Sequence, residues 1–69
     1  MFTIKIIDID GNETGVSTRH YRWYSKMNIF DLDGGESVSV PPKSRAYVMN
    51  DKGITIGRYT NTADQRVLN

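Results

Sequence analysis

The sequence predicts an all-β fold, a small antiparallel meander of five or six strands curled into an SH3-like-sized barrel or bent sheet. Three observations lead to it. No stretch of the 69 residues repeats apolar side chains at helical spacing. Short stretches instead alternate apolar with polar or β-branched side chains, as strands do. Turn sequences rich in glycine, proline, asparagine and aspartate separate them. A chain of this length makes one domain.

The first hairpin is predicted from alternation and from one dipeptide. Residues 2–9 begin with a strict alternation and continue with β-branched side chains, so they read as a strand. Asp10-Gly11 follows, and this dipeptide tolerates the positive φ angles of a type I′ hairpin turn. Residues 14–24 are predicted to form the second strand in one piece.

Two short strands are predicted in the middle of the chain. Residues 29–32 follow a loop at 25–28 and end at the turn sequence Asp33-Gly34-Gly35. Residues 37–40 alternate and are stopped by Pro41-Pro42, which cannot donate to a strand ladder.

A last hairpin completes the predicted domain. Residues 45–49 and 54–59 are its strands, and the tetrapeptide 50–53 suits a type I turn closed by Gly53 in the left-handed region. The polar residues 60–69 are predicted to be a flexible C-terminal tail. The β domain is therefore expected to span residues 1–59.

The charges are almost balanced in number but sorted along the chain. Nine Lys and Arg against eight Asp and Glu give a net charge of +1, which does not steer a protein onto nucleic acid. In an up-and-down meander the first, third and fifth turns share one end. These turns and their flanks hold most of the acids, namely Asp8, Asp10, Glu13, Asp31, Asp33, Glu36 and Asp51, while the other turns hold Lys26, Lys43 and Arg45. The sequence thus predicts an acidic pole and a basic pole.

The residue types argue against an enzyme and against a metal or cofactor. The chain has no cysteine, and His20 is its one histidine, so a nucleophile has little choice of base. The segment beginning at Asp8 opens like a calcium loop. An EF-hand, however, needs glycine and glutamate where Glu13 and Arg19 stand. A weak cation site shared by the acidic turns at 8–13 and 31–36 is the alternative to a simple turn-forming role for these acids.

The segment 19–26 is the candidate site because it interleaves cations with aromatic rings. Such a mixture suits single-stranded nucleic acid, through phosphate contacts and base stacking. It also suits the centre of a protein–protein interface. Alternatively, Trp23 and the tyrosines supply the core of a small barrel. The predicted partner-binding residues are Arg19, His20, Tyr21, Arg22, Trp23, Tyr24 and Lys26, with Lys43 and Arg45 from the basic pole.

The expected function is that of a non-enzymatic binding module. The longest apolar run, at 46–49, is far too short to cross a membrane, and the N-terminus lacks the layout of a signal peptide. The expected location is therefore the cytoplasm. The first hypothesis is an accessory or inhibitory protein, of the phage or mobile-element kind, that docks on a larger protein. The alternatives are a single-stranded nucleic-acid binder acting through residues 19–26 and a structural subunit whose exposed strand edge pairs with copies of itself.

Overall fold

A computed structural model describes residues 1–62 and shows seven strands in two antiparallel sheets. The all-β fold predicted from the alternation is confirmed. A single 3₁₀ turn at Asp33–Gly35 joins β4 to β5. The strands are β1 (Phe2–Ile7), β2 (Glu13–Thr18), β3 (Tyr21–Tyr24), β4 (Ile29–Leu32), β5 (Ser37–Ser39), β6 (Arg45–Met49) and β7 (Thr55–Thr60).

The two sheets differ in how far apart in sequence their neighbouring strands lie. Sheet A has the order β2-β1-β6-β7, and sheet B has the order β3-β4-β5. Sheet B is a simple local meander. In sheet A the chain returns from sheet B to place β6 antiparallel beside β1, with Ile4 opposite Val48. This long-range pairing brings residues from the two ends of the sequence onto one surface.

The predicted second strand, 14–24, is two strands that belong to different sheets. Thr18 is buried, and its Oγ1 donates to the carbonyl oxygen of His20 at 2.6 Å and accepts from the backbone N–H of Asp33 at 3.1 Å. These bonds fix a corner at which the chain leaves sheet A after Thr18 and enters sheet B at Tyr21. The corner raises the number of strands to seven.

The core lies between the two sheets. Sheet A contributes Ile4, Ile6, Ala46 and Val48 from its inner face, and sheet B faces them with the fully buried ring of Phe30. Aromatic rings extend this core along the interface, with neighbouring ring centroids 4.7 to 6.1 Å apart. Edge-to-face contacts at such distances add to the area that the rings bury. The rings belong to Phe2, Tyr21, Trp23, Phe30 and Tyr59.

The two hairpin turns of sheet A share one geometry. The backbone N–H of Gly11 donates to the carbonyl oxygen of Asp8 at 3.0 Å, and that of Gly53 donates to Asn50 at 3.0 Å. Both glycines have positive φ, +86° and +79°. Each is thus a type I turn closed by a left-handed glycine, as predicted at 50–53.

The predicted type I′ turn at Asp10-Gly11 is wrong. A type I′ turn needs positive φ at both central residues. Among residues 1–62 only Asn28 and Lys43 have positive φ outside glycine, so Asp10 does not. The Asp8 carboxylate decides the geometry, because its Oδ1 accepts from the backbone N–H groups of Asp10 and Asn12, both at 2.9 Å.

The predicted acidic pole is also wrong, because β1 and β6 run antiparallel side by side. Ile7, which precedes the first turn, lies opposite Arg45. The turn at 50–54 is therefore at the other end of sheet A, where the Met1 amino group contacts the Asp51 carboxylate at 3.0 Å. Each end of the sheet thus carries both signs of charge.

The same register removes the cation site that two acidic turns were expected to share. The turn at 33–35 is bonded to Thr18, which lies opposite Phe2. The turn at 8–12 lies at the far end of β1, about 17 Å away at the rise of a strand. No ion can touch both turns at once.

The last described residues are hydrogen-bonded to the β5–β6 connection. β7 ends at Thr60, and Asn61 is buried. Asn61 Nδ2 donates to the carbonyl oxygen of Val40 at 2.7 Å, and its backbone N–H donates to Ser44 at 3.1 Å. Asn61 therefore ties β7 to the β5–β6 connection. Most of the predicted tail, residues 63–69, lies outside the described residues.

Candidate binding site

The alternation of β3 divides the predicted segment between the interior and the surface. Tyr21 and Trp23 point inward and are half-buried, with the Trp23 ring 4.7 Å from Phe30 and the Tyr21 ring 5.2 Å from Phe2. Arg22 and Tyr24 point outward and are exposed. Half of the basic-aromatic pattern thus belongs to the packing between the sheets.

The inward tyrosine is held as a neutral phenol. Burial, together with a hydrogen bond to Tyr59, raises the pKa of Tyr21. Because desolvation penalises the phenolate, the Tyr21 phenol stays neutral where sheet B packs against β7.

The outer face of sheet B carries matched charges. Arg22 Nη1 donates to the Tyr24 hydroxyl oxygen at 3.4 Å, and Asp31 lies directly opposite Arg22 on β4. The hydrogen bond to Tyr24 and the Asp31 carboxylate raise the pKa of Arg22, so the guanidinium stays charged. Its charge therefore stands opposite one carboxylate on the neighbouring strand.

A shallow cleft of about 380 Å³ opens at the β3–β4 turn. Its lining is mostly apolar, and Tyr24 and Met27 are 38% and 63% exposed. The backbone N–H of Met27 donates to the carbonyl oxygen of Tyr24 at 3.2 Å, which fixes the turn. We call this feature the β3–β4 cleft; it is lined by Trp23, Tyr24, Ser25, Lys26 and Met27.

The cleft can receive an apolar side chain from a partner. Its lining includes two aromatic residues, Trp23 and Tyr24, together with Met27, and the exposed Lys26 adds one positive charge. Trp23, Tyr24 and Lys26 were predicted from the sequence. Met27 was missed because the segment 19–26 was chosen for its cations and aromatic rings, and Met27 carries neither. Its high exposure is visible only once the turn is folded.

The other predicted site residues do not line the cleft. Arg19 and His20 are exposed at the corner between β2 and β3. Lys43 is exposed in the β5–β6 connection, with a φ of +64°. Arg45 begins β6 in sheet A. The predicted set is therefore distributed over the β2–β3 corner, β3, the β3–β4 turn, the β5–β6 connection and β6.

The outer face of sheet A holds a row of side chains that the sequence analysis missed. Lys5 lies directly opposite Tyr47, and Tyr47 lies directly opposite Arg58. The neighbours of Lys5 and Tyr47 along their strands are buried on the inner face, so the row points outward. We call this surface the sheet A face; it comprises Lys5, Ile7, Arg45, Tyr47, Met49 and Arg58.

The charge of the sheet A face is predominantly positive. Lys5, Arg45 and Arg58 share it with one carboxylate, Glu13, whose Oε1 lies 3.5 Å from the Lys5 ammonium. Both side chains of this ion pair are about half exposed. The pair is thus weak and open to exchange with an anionic ligand.

The described part of the chain shows no group of three or more His, Cys, Asp and Glu that could hold a metal ion. Among residues 1–62 there is also no helix of the length and apolarity that crossing a bilayer requires. Comparison with models of protein families, with curated proteins and with solved structures gave no match. The candidate surfaces are therefore interpreted from their own geometry.

Proposed function

We propose that this chain is a non-enzymatic binding module that docks on a larger protein through the β3–β4 cleft. The observation that carries the proposal is the convergence of Trp23, Tyr24 and Met27 around one open cavity, with Lys26 beside them. Tryptophan and tyrosine are enriched at the energetic centres of interfaces, and methionine adapts its shape to an apolar partner.

Packing beneath the cleft supports this role. The Trp23 ring lies 4.7 Å from Phe30 and 5.0 Å from Tyr59, so the inner wall is held by the core. A wall that is already rigid loses little entropy on binding. The lysine at the cleft favours a partner that presents a carboxylate next to an apolar side chain.

The residue inventory favours an accessory or inhibitory role over catalysis. With one histidine and no cysteine in the sequence, the chain has few groups for acid–base or nucleophilic chemistry. A small module with a docking cleft acts by occupying a surface of its partner, in the manner of accessory proteins of phages and mobile elements.

The test is capture of a partner by the intact chain, compared with a double variant, Tyr24→Ala/Met27→Ala, that strips the exposed walls of the cleft. Ile9→Ala is the matched control, because Ile9 is an exposed apolar side chain in the turn between β1 and β2 and does not line the cleft. We expect the wild type and the control to retain the same protein after nuclease treatment, and the cleft variant to lose it. Tyr24→Ala alone should cost about 2 kcal/mol of binding free energy.

Two outcomes contradict the proposal. Capture that disappears on nuclease treatment would indicate a nucleic acid as the partner. Capture that survives the loss of both cleft side chains would place the docking surface elsewhere.

A further inference from the structure

We infer that the sheet A face binds single-stranded nucleic acid, with one base stacked on Tyr47 and phosphates held by Lys5, Arg45 and Arg58. This surface belongs to a different sheet from the β3–β4 cleft. The inference therefore adds a second binding activity and does not depend on the proposed protein docking.

The row on sheet A places an aromatic ring between two cations. Lys5, Tyr47 and Arg58 occupy directly opposed positions on three adjacent strands. Adjacent strands lie about 4.8 Å apart, so the two cationic side chains start about 10 Å apart with the ring between them. A base can rest on the ring while the phosphates on either side of it reach the two cations.

The second step is access to the row. Gly15 lies beside Lys5 at the end of the row, and a Cβ placed there would meet only the Ile4 carbonyl oxygen, at 4.0 Å. The space next to Lys5 is thus open. On the other side Arg58 is exposed on β7, the last strand of the sheet. A strand of nucleic acid can lie across the sheet without displacing backbone.

The third step is charge complementarity. Three cations share this surface with one carboxylate, whereas on the outer face of sheet B one arginine lies opposite one aspartate. An acidic protein segment would use the cations alone. A nucleic acid uses the cations and the ring together, because its phosphates alternate with flat bases. The combination favours nucleic acid.

The test is the binding of a labelled mixed-sequence DNA single strand of about 12 nucleotides, followed by fluorescence anisotropy. We expect a dissociation constant on the order of 10⁻⁵ M at low salt. With three phosphates neutralised, the logarithm of the binding constant should fall with the logarithm of salt concentration with a slope of about −2. Arg58→Gln should reduce that slope by about 0.7. Arg22→Gln, the matched control in sheet B, should change neither affinity nor slope.

The ring is tested separately from the charges. Tyr47→Leu should weaken binding about tenfold without changing the salt slope, and Tyr47→Phe should retain the wild-type affinity. Far-ultraviolet circular dichroism of each variant confirms that it is folded. Glu13→Gln should strengthen binding, because it releases Lys5 from its ion pair.

Three results would overturn the inference. One is absence of binding by the folded wild type at about 50 mM salt. Another is equal loss of affinity in Arg22→Gln and Arg58→Gln. The last is displacement of the DNA by polyglutamate together with no effect of Tyr47→Leu, which would indicate an acidic protein surface as the ligand. The cleft variant Tyr24→Ala/Met27→Ala should bind the DNA normally, so failure of the protein-docking proposal leaves this result unaffected.

Discussion

The outer faces of the two sheets carry similar residues in different arrangements. In sheet B, Arg22 and Tyr24 come from one strand, bond to each other and lie beside Asp31. In sheet A, Tyr47 lies between two cations that come from two other strands. The first arrangement places one cation opposite one carboxylate, and the second places three cations beside one carboxylate, Glu13. Cross-strand register therefore assembles the proposed binding surface from residues that no contiguous segment contains.

A contiguous basic-aromatic segment in a strand does not form one continuous surface. Successive side chains of a strand point to opposite faces, so a basic-aromatic run is divided in two when it folds. In β3 the division sends Tyr21 and Trp23 inward and leaves Arg22 and Tyr24 outside. Beyond the end of β3, the turn residues Lys26 and Met27 lie beside the exposed Tyr24 in the lining of the cleft.

The largest expected effect tests this division of β3. Trp23→Ala should lower the free energy of unfolding by about 3 kcal/mol or more, because it removes a ring packed on Phe30 and Tyr59. Tyr24→Ala, one position along, should cost less than about 0.5 kcal/mol. Urea unfolding followed by circular dichroism measures both. Equal costs would show that the two faces of β3 are not distinct.

The next effect concerns the turn that aligns β7 with β6 and so completes the row on sheet A. Gly53→Val should destabilise the domain by about 1–3 kcal/mol, because Gly53 has a φ of +79°. Gly15→Val is the control, since Gly15 lies within β2 and has open space around it. Valine suits a strand, so this variant should be as stable as the wild type or more stable. Thermal unfolding measures the stability of both variants. A Gly53→Val variant as stable as the wild type would mean that the β6–β7 hairpin closes in another way.

Local sequence was sufficient for most strands and for one turn. Residues 45–49 were predicted to be a strand and form β6 with those bounds, and the tetrapeptide 50–53 predicted the turn that follows. The corner at Thr18 was not predictable in this way, because its hydroxyl is fixed by the N–H of Asp33, 15 residues away. The strand 14–24 alternates without a visible break, so only this tertiary contact divides it.

The sheet A face likewise depends on a tertiary contact that local sequence does not reveal. The strict alternation at the start of β1 is enough to place Lys5 on the opposite face from Ile4 and Ile6. The unbroken apolar run of β6 gives no such signal for Tyr47. What the sequence lacked was the pairing of β1 with β6, which depends on the packing of the whole core. Periodicity gives the face of a residue but not its neighbour on the next strand.

A smaller effect distinguishes the two hairpin turns of sheet A by pH. Hydrogen bonds from the backbone N–H groups of Asn12, Asp10 and Gly11, and from the Asn12 side chain, lower the pKa of Asp8. In the equivalent turn the acceptor is the neutral side chain of Asn50. Because the pKa of Asp8 is lower in the folded state, its stabilisation is complete above about pH 4 and is lost as the pH falls through the folded value.

Urea unfolding of the wild type and of Asp8→Asn at neutral and acid pH tests this assignment. The difference in stability between the two proteins should shrink as the pH falls below about 4. Asn50→Ala should destabilise by a similar amount at both pH values, because an amide does not titrate there. A difference between wild type and Asp8→Asn that is independent of pH would contradict the role of the Asp8 carboxylate.

The smallest expected effect is the coupling between Lys5 and Glu13. Their charged atoms are 3.5 Å apart and both side chains are about half exposed, so water screens the attraction. A double-mutant cycle with Lys5→Ala and Glu13→Ala should give a coupling free energy of about 0.5 kcal/mol or less, smaller still in high salt. A coupling above about 1.5 kcal/mol would mean that Lys5 is committed to holding β1 against β2. A weak coupling means that the Lys5 ammonium can leave Glu13 for a phosphate at little cost in stability, as the proposed nucleic-acid binding requires.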